Sequence, residues 1–147
     1  MTDTYSPETR SRVMRKVKGK DTSPEVALRR ALWARGIRGW RLHRRDLPGT
    51  PDLAFGGNVR LAVFVDGAFW HGHPTKYWPG RSGEYWDKKI ARNIERDLAA
   101  NDSLEELGWT VLRVWDFDVL RNPSAAAGQV AAELSRLGES RAQARDA

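Results

Sequence analysis

Two short apolar segments joined by a glycine turn constrain the fold of this chain more than any other feature. The segment Leu-Ala-Phe at 53–55 is followed by Gly-Gly-Asn at 56–58 and by the apolar run 61–65. Strand-like segments with such a turn between them predict a β-hairpin. Asp52 precedes the first segment and Asp66 follows the second, so antiparallel pairing places both carboxylates at one end of the hairpin.

The flanking segments predict helices packed around this hairpin and one further strand on either side of it. Ser-Pro-Glu at 23–25 is typical of a helix start, which places Glu25 in the first helical turn. The predicted elements are a short basic helix at 6–17, a helix at 23–35, an edge strand at 39–44, a helix from 82 that is either continuous or broken near 101–103, a strand at 109–115 and a helix at 122–138. This order predicts an α/β fold with a mixed sheet and a crossover helix before the fourth strand.

The charge balance points to a polyanionic partner. The net charge is +6 and the pI is about 10.1, and the basic excess is concentrated between Arg10 and Arg45. Such a distribution is expected either of a nucleic-acid-binding face or of a solvated basic surface. We expect residues 1–20 to form a basic DNA-binding arm, residues 21–138 one domain, and residues 139–147 a disordered tail.

Composition excludes several classes of protein and of site. The chain contains no cysteine, which excludes disulfides, thiolate nucleophiles and sulfur-ligated metal sites. No apolar run approaches the roughly 20 residues of a membrane span. The N-terminus does not have the pattern of a secretory signal. We therefore expect a cytoplasmic protein without membrane contact, whose metals are bound by oxygen and imidazole.

The acidic end of the hairpin suits phosphodiester hydrolysis. Asp52, Asp66 and Glu25 supply the oxygen ligands that Mg²⁺ prefers, although a proline followed by a strand-capping acid is also a common structural turn. His71 suits proton transfer because its ordinary pKa lies near neutral pH. His73 is either a structural residue or, with His71, half of a transition-metal site.

Aromatic and polar residues beside this end have both a structural and a DNA-binding interpretation. Phe69 and Trp70 leave the second strand together and either pack in the core or wedge between base pairs, and Met14 on the basic arm could insert in the same way. Lys89 and Asn93 share one helical face through their i, i+4 spacing. They either contact bases and phosphates or form a solvated surface.

A set of short motifs over about residues 6–120 resembles the very short patch repair (Vsr) endonucleases. The motifs are Thr9-Arg10-Ser11, Met14-Arg15, Asp21-Thr22, Glu25, Leu47-Pro48-Gly49 with Pro51-Asp52, Gly67 with Phe69-Trp70-His71, Trp86 with Lys89-Ile90, Asn93 with Glu95-Arg96-Asp97, and Glu106-Leu107-Gly108-Trp109 with Val114-Trp115. The resemblance implies a restriction-endonuclease-like fold of the PD-(D/E)xK superfamily, with a mixed central sheet flanked by helices. It also implies Mg²⁺-dependent nicking 5′ to the thymine of a T:G mismatch, the lesion left when 5-methylcytosine deaminates.

The resemblance assigns roles to individual residues. Asp52 and the backbone carbonyl of Val65 would bind the metal, His71 would be the general acid or base, and Glu25 would act through metal-bound water. The DNA-binding residues would be Met14 and Arg15 of the arm, Phe69 and Trp70 as intercalating groups, and Lys89 and Asn93 as readers of the mismatch. We expect a monomer that acts on DNA at the nucleoid and is functionally linked to a cytosine-5 methyltransferase. The alternatives are a nicking endonuclease of this fold with another DNA target, or a non-catalytic mismatch-binding module.

Two departures from the family pattern lead to further expectations. The positions that match the family's structural zinc ligands are Ala68, His73, Thr75 and Phe117, so we expect no structural zinc and a loop held by packing. The acid-x-lysine of the wider superfamily is replaced by Phe-Val-Asp at 64–66, so no lysine assists the attacking water. The role of Asp66 stays open: it is either a second metal ligand or a residue that orients His71.

Overall fold

The computed structural model describes residues 22–146, with side chains described through residue 140. The predicted arm at 1–20, with Met14 and Arg15, lies outside the described residues. The elements are helix α1 (Ser23–Ala34), strands β1 (Trp40–Leu42), β2 (Leu53–Phe55) and β3 (Leu61–Asp66), helix α2 (Glu84–Glu106), strand β4 (Thr110–Trp115), and helices α3 (Asp116–Arg121) and α4 (Pro123–Asp146).

The strands form one mixed sheet in the order β1-β2-β3-β4. β1, β2 and β3 pair antiparallel, and the hairpin register places Leu53 opposite Val63. β4 follows the long helix α2 and pairs with β3 in parallel. The predicted hairpin, edge strand and crossover helix are therefore confirmed, and the sheet has the α/β restriction-endonuclease-like character that the sequence predicts.

Side-chain alternation along β3 divides the core between the two faces of the sheet. Leu61 and Val63 belong to the larger cluster, which includes buried residues of α1, α3 and α4. Ala62 and Phe64 belong to a smaller cluster that includes Leu104 of α2. This alternation of side chains continues to the end of β3. Successive side chains that reach the cleft therefore point toward different helical layers.

The structure differs from the sequence prediction in two helices and decides between the alternatives left open for a third. α2 is continuous through residues 101–103, and Leu104, in its last turn, is fully buried and holds the helix on the sheet. α4 continues to Asp146, where we predicted an end at 138 and a disordered tail, since the last residues are good helix formers without proline. The short helix α3 was not predicted. Within residues 22–146, no helix is both long and apolar enough to cross a membrane.

A close glycine contact fixes the loop that leads to Asp52. Gly49 has a φ of +75°, and a Cβ added there would lie 2.8 Å from the Cβ of Ala100 and 3.3 Å from the ring of Phe64. Gly57, in the hairpin turn, also has a positive φ of +64°, but a Cβ there would meet nothing within 4 Å. Both glycines are therefore required by a left-handed backbone, but only Gly49 is also required by close packing.

We predict that Gly49→Ala destabilises the protein more than Gly57→Ala does. Gly57→Ala should lower the free energy of unfolding by about 1 kcal/mol through the left-handed backbone alone. Gly49→Ala should add the overlap with α2, for a total of about 2–3 kcal/mol. Urea denaturation of both variants measures the difference, and equal losses would contradict the close packing of this loop against α2.

Candidate active site

The acidic residues singled out in the sequence meet in one cleft of about 990 Å³. The start of α1, the loop before β2, the end of β3 and the middle of α2 form its walls. Its lining includes Glu25, Asp52, Val65, Asp66 and His71, as well as Trp70 and Asn93 of the predicted DNA-binding set.

Asp52 is fixed to β3 by a hydrogen bond. The backbone N–H of Val65 donates to Asp52 Oδ2 at 2.7 Å. Because the N–H and C=O of a residue in an extended strand point to the same side, the Val65 carbonyl also lies on the Asp52 side of β3. The second carboxylate oxygen of Asp52, Oδ1, lies on the side of His43. Asp52 and Val65 are thus adjacent, as the predicted metal ligands must be.

Glu25 and His43 complete this group on the α1 side. Glu25 lies in the first turn of α1, as predicted, and is 6% exposed. His43 Nε2 lies 3.5 Å from Glu25 Oε2, and His43 Nδ1 lies 3.8 Å from Asp52 Oδ1. The side chains of Glu25, His43 and Asp52 each offer one ligand atom, and these atoms lie within 4.8 Å of one another. We call Glu25, His43, Asp52 and the Val65 carbonyl the metal-side group.

Burial makes the charge on Asp52 costly. It raises the pKa of Asp52 to about 7, the negative charges of Glu25 and Asp66 act in the same direction, and the Val65 amide opposes them. A divalent cation would offset this cost, because it attracts the carboxylate oxygens that otherwise repel one another. The oxygen donors of the metal-side group therefore fit a divalent cation, and His43 adds a nitrogen within reach.

His71 belongs to a second group of ligand-type side chains in the cleft, with Asp66 and Asp97. The turn after β3 is closed by the His71 N–H, which donates to the Gly67 carbonyl at 3.0 Å. Its ring Nδ1 is hydrogen-bonded to the carboxylate of Asp97 on α2, and its Nε2 lies 3.8 Å from Asp66 Oδ1. Burial opposes protonation, but the hydrogen bond to Asp97 and the two negative charges outweigh it, so the pKa of His71 is raised.

Asp66 is hydrogen-bonded to the guanidinium of Arg113. It is 6% exposed, and both of its carboxylate oxygens accept hydrogen bonds from Arg113 Nη1, at 3.0 and 3.1 Å. Burial raises the pKa of Asp66, although the charges of His71 and Arg113 act against that shift. Asp66, His71, Asp97 and Arg113 form what we call the histidine-side group.

The predicted wedge residues pack in an aromatic cluster at the rim of the cleft. The ring centroids of Phe69 and Trp70 lie 5.5 and 5.3 Å from that of Trp86 on α2. Asn93 donates its side-chain amide to the Trp70 carbonyl at 3.0 Å. Lys89 is half-buried one turn before Asn93 and is not part of the cleft lining. The two aromatic rings are thus half-buried and supported from below by α2.

The four positions that match the family's zinc ligands also meet. His73 donates its backbone N–H to the Ala68 carbonyl at 2.8 Å, and its Nδ1 accepts from the hydroxyl of Thr75 at 2.8 Å. The His73 ring lies edge-on to Phe117, with centroids 5.0 Å apart, and to Trp115, at 4.7 Å. Hydrogen bonds and ring contacts join these positions, and the absence of zinc stays a prediction.

Four cleft residues were missed by sequence reasoning. His43 lies near the end of the predicted edge strand at 39–44 and Arg113 in the predicted strand at 109–115, so both were assigned only structural places. Asp97 belongs to a family motif but had no assigned role. Asp116 accepts the Ala68 N–H at 3.2 Å and the Phe117 N–H at 2.7 Å. Apart from Phe117, the partners of these residues are distant in the sequence, so no local pattern could have identified them.

We predict that Asp52 makes the metal-free protein less stable as pH rises. The pKa of Asp52 is raised from 3.8 to about 7 in the folded state, so its protonated form favours folding below about pH 4 and this contribution is lost as pH rises through 7. Asp52→Asn should therefore increase the free energy of unfolding at pH 8 by about 1–2 kcal/mol in EDTA, and change it little at pH 4. Asp102→Asn, an exposed site on α2, is the control, and an Asp52→Asn effect that is equal at both pH values would contradict the prediction.

Comparison with known proteins agrees with the chemistry of the cleft. The family described as DNA mismatch endonuclease Vsr matches residues 2–77. The chain is 40% identical to the type II nicking enzyme V.NmeDIP of Neisseria meningitidis serogroup C, over 98% of this chain and 99% of that protein. It is 42% identical to the type II nicking enzyme V.HpaIIP of Haemophilus parainfluenzae, over 82% and 87%. It is 37% identical to the DNA mismatch endonuclease Vsr of Escherichia coli K12, over 79% and 74%. The chain therefore belongs to the Vsr family and is a DNA endonuclease.

Proposed function

We propose that this endonuclease nicks one strand of duplex DNA 5′ to the thymine of a T:G mismatch, by Mg²⁺-dependent phosphodiester hydrolysis. The observation that carries the proposal is that the cleft holds two separate groups of ionisable side chains. Glu25, His43 and Asp52 form one group, and Asp66, His71 and Asp97 form the other. A phosphodiester bound between them would have a cation site and a proton-transfer group within reach of the same phosphorus.

The metal-side group supplies the binding site for the cation. Asp52, Glu25 and the Val65 carbonyl would hold it, with His43 beside them. A bound divalent cation would polarise the scissile phosphate and neutralise the charge that develops on it. The protein's own part would be to hold these donors close together: the Val65 amide fixes Asp52, and Glu25 lies buried in the first turn of α1.

His71 supplies proton transfer. With Nδ1 donating to Asp97, the neutral imidazole carries its lone pair on Nε2. Nε2 would accept the proton of the attacking water or return one to the leaving 3′ oxygen, which gives a 5′-phosphate and a 3′-hydroxyl. The raised pKa of His71 favours the protonated ring, which is the form that would give a proton to the leaving 3′ oxygen.

Mismatch selection would be performed by the aromatic rim. Phe69 and Trp70 are held on Trp86 of α2, and Asn93 fixes the Trp70 backbone. Rings supported in this way resist being pushed back, so they can insert beside a base pair that stacks weakly. Lys89 on the same helix would contact the adjacent strand, and Met14 and Arg15 of the arm would bind from another side of the duplex.

The biological setting follows from the lesion. T:G mismatches arise where 5-methylcytosine deaminates, so we infer a functional link to a cytosine-5 methyltransferase. We further infer that the enzyme acts as a monomer, since one chain supplies both sides of the cleft. The names of several relatives favour a second candidate, a nicking enzyme with another DNA target. A non-catalytic mismatch-binding module is the third.

We predict that Asp52→Ala abolishes nicking while mismatch binding survives. Loss of the carboxylate should lower the single-turnover nicking rate by on the order of 10³-fold or more, because the cation loses its fixed ligand. Affinity for a T:G duplex, measured by fluorescence anisotropy at fixed salt, should stay within about threefold, since base and phosphate contacts remain. Asp102→Ala is the control carboxylate substitution.

Three duplexes separate the candidate functions. T:G, T:A and C:G duplexes with randomised flanks are incubated with and without Mg²⁺ at one salt concentration. Nicking confined to the thymine strand of T:G supports the proposal. Nicking of a paired site favours the enzyme with another target, and T:G binding without Mg²⁺-dependent cleavage of any duplex favours the binding module.

A further inference from the structure

Arg113 is a half-buried cation whose place in the cleft no motif of the family pattern explains. It lies on β4 and pairs in register with Phe64 of β3. Its side chain is 19% exposed, and the guanidinium carbon lies 4.0 Å from the centroid of the Phe64 ring. The cation therefore enters the cleft from the strand next to the one on which the wider superfamily carries its lysine.

The guanidinium is used almost entirely by partners within the protein. Nη1 binds both oxygens of Asp66 at 3.0 and 3.1 Å, and lies 3.6 Å from Asp97 Oδ1. Nε donates to Asn101 Oδ1 at 2.9 Å, and Nη2 donates to the Asp97 carbonyl at 3.5 Å. These contacts fix the planar group in one orientation. A guanidinium held in this way cannot readily reorient to bind a phosphate group.

Both carboxylates that Arg113 contacts also face His71. Asp97 is hydrogen-bonded to His71 Nδ1, and Asp66 lies 3.8 Å from His71 Nε2. The imidazole thus lies between two acids from different elements, α2 and β3. The orientation of the ring depends on both acids staying in place, and Arg113 is the residue that joins them.

We propose that Arg113 is the positioning residue of His71: by holding Asp66 and Asp97 together, it orients the imidazole for proton transfer. The inference rests on the proposed function, in which His71 moves the proton. Asp66 is then the residue that orients His71, and the cation that the wider superfamily supplies as lysine acts here through two carboxylates.

The charges around His71 support this role. The charged groups that face it are Asp66 from β3, Asp97 from α2 and Arg113 from β4. Two half-buried or buried carboxylates so close together repel each other unless a cation is fixed between them. Without Arg113, we expect Asp66 to move away from Asp97 and the ring of His71 to lose one of its two neighbours.

The experiment compares Arg113→Met, Arg113→Lys and the exposed control Arg136→Met. Arg113→Met should lower kcat for T:G nicking by ~10- to 100-fold through misplacement of His71, with KM changed by less than about threefold since DNA contacts remain. Arg113→Lys should give an intermediate loss, because an ammonium group keeps the charge but cannot reach Asp66, Asn101 and Asp97 together. Arg136→Met should behave as wild type, since Arg136 pairs only with Glu133 on the surface of α4 among the contacts described.

A second readout separates positioning from a general loss of stability. The chain has three histidines, so the ring ¹⁵N signals of His71 can be assigned by their loss in His71→Ala. In the free, metal-free protein these signals should shift in Arg113→Met and shift less in Arg113→Lys, while those of His43 and His73 stay unchanged.

Specific results would overturn the inference. Wild-type kcat in a folded Arg113→Met variant would do so, and so would a reduced kcat with unshifted His71 signals. If Arg113→Met does not fold, the same two measurements on Arg113→Lys decide. If the wild type fails to nick T:G duplexes, the proposed function fails, whereas the His71 signals in the free protein still test the contact network.

Discussion

The pairing of β3 with its two neighbours decides where each charged group of the active site lies. The antiparallel register with β2 brings the Val65 amide to the carboxylate of Asp52. The parallel register with β4 places Arg113 beside Phe64, one position before the Val65 pair. A shift of either register by one residue would turn these side chains to the opposite face of the sheet. The hydrophobic core therefore holds the geometry of the candidate site, because Leu61 and Val63 are fully buried and fix β3 in that register.

The two groups of charged side chains in the cleft deal with buried charge in different ways. In the histidine-side group, the Arg113 guanidinium contacts both Asp66 and Asp97, so their negative charges are partly compensated within the protein. On the metal side, Glu25 and Asp52 lie close together, and the pKa of Asp52 is raised to about 7 by burial and by its acidic neighbours. Such crowding costs stability and is typical of a site that is completed by a ligand. The contrast supports a cation on the Asp52 side and proton transfer on the His71 side.

Much of this arrangement could be predicted from the sequence because it depends on local patterns. Neighbouring residues encode the turn at 56–58, the acid before β2, the acid at the end of β3 and the helix start before Glu25. The family resemblance added the roles of Asp52 and His71. His43, Asp97 and Arg113 could not be placed, because their functions depend on contacts with residues distant in the chain. The continuation of α4 past residue 138 was not predicted, although the residues after it are helix formers without proline.

Anomalous diffraction from crystals soaked in Mn²⁺, used as a probe for the Mg²⁺ site, tests the division of the cleft most directly. Our account predicts one anomalous peak within about 2.5 Å of an Asp52 carboxylate oxygen and of the Val65 carbonyl oxygen. Asp66, His71 and Asp97 also have ligand atoms within 4.8 Å of one another, so they offer a competing location. A peak among these three residues, with none at Asp52, would contradict the account.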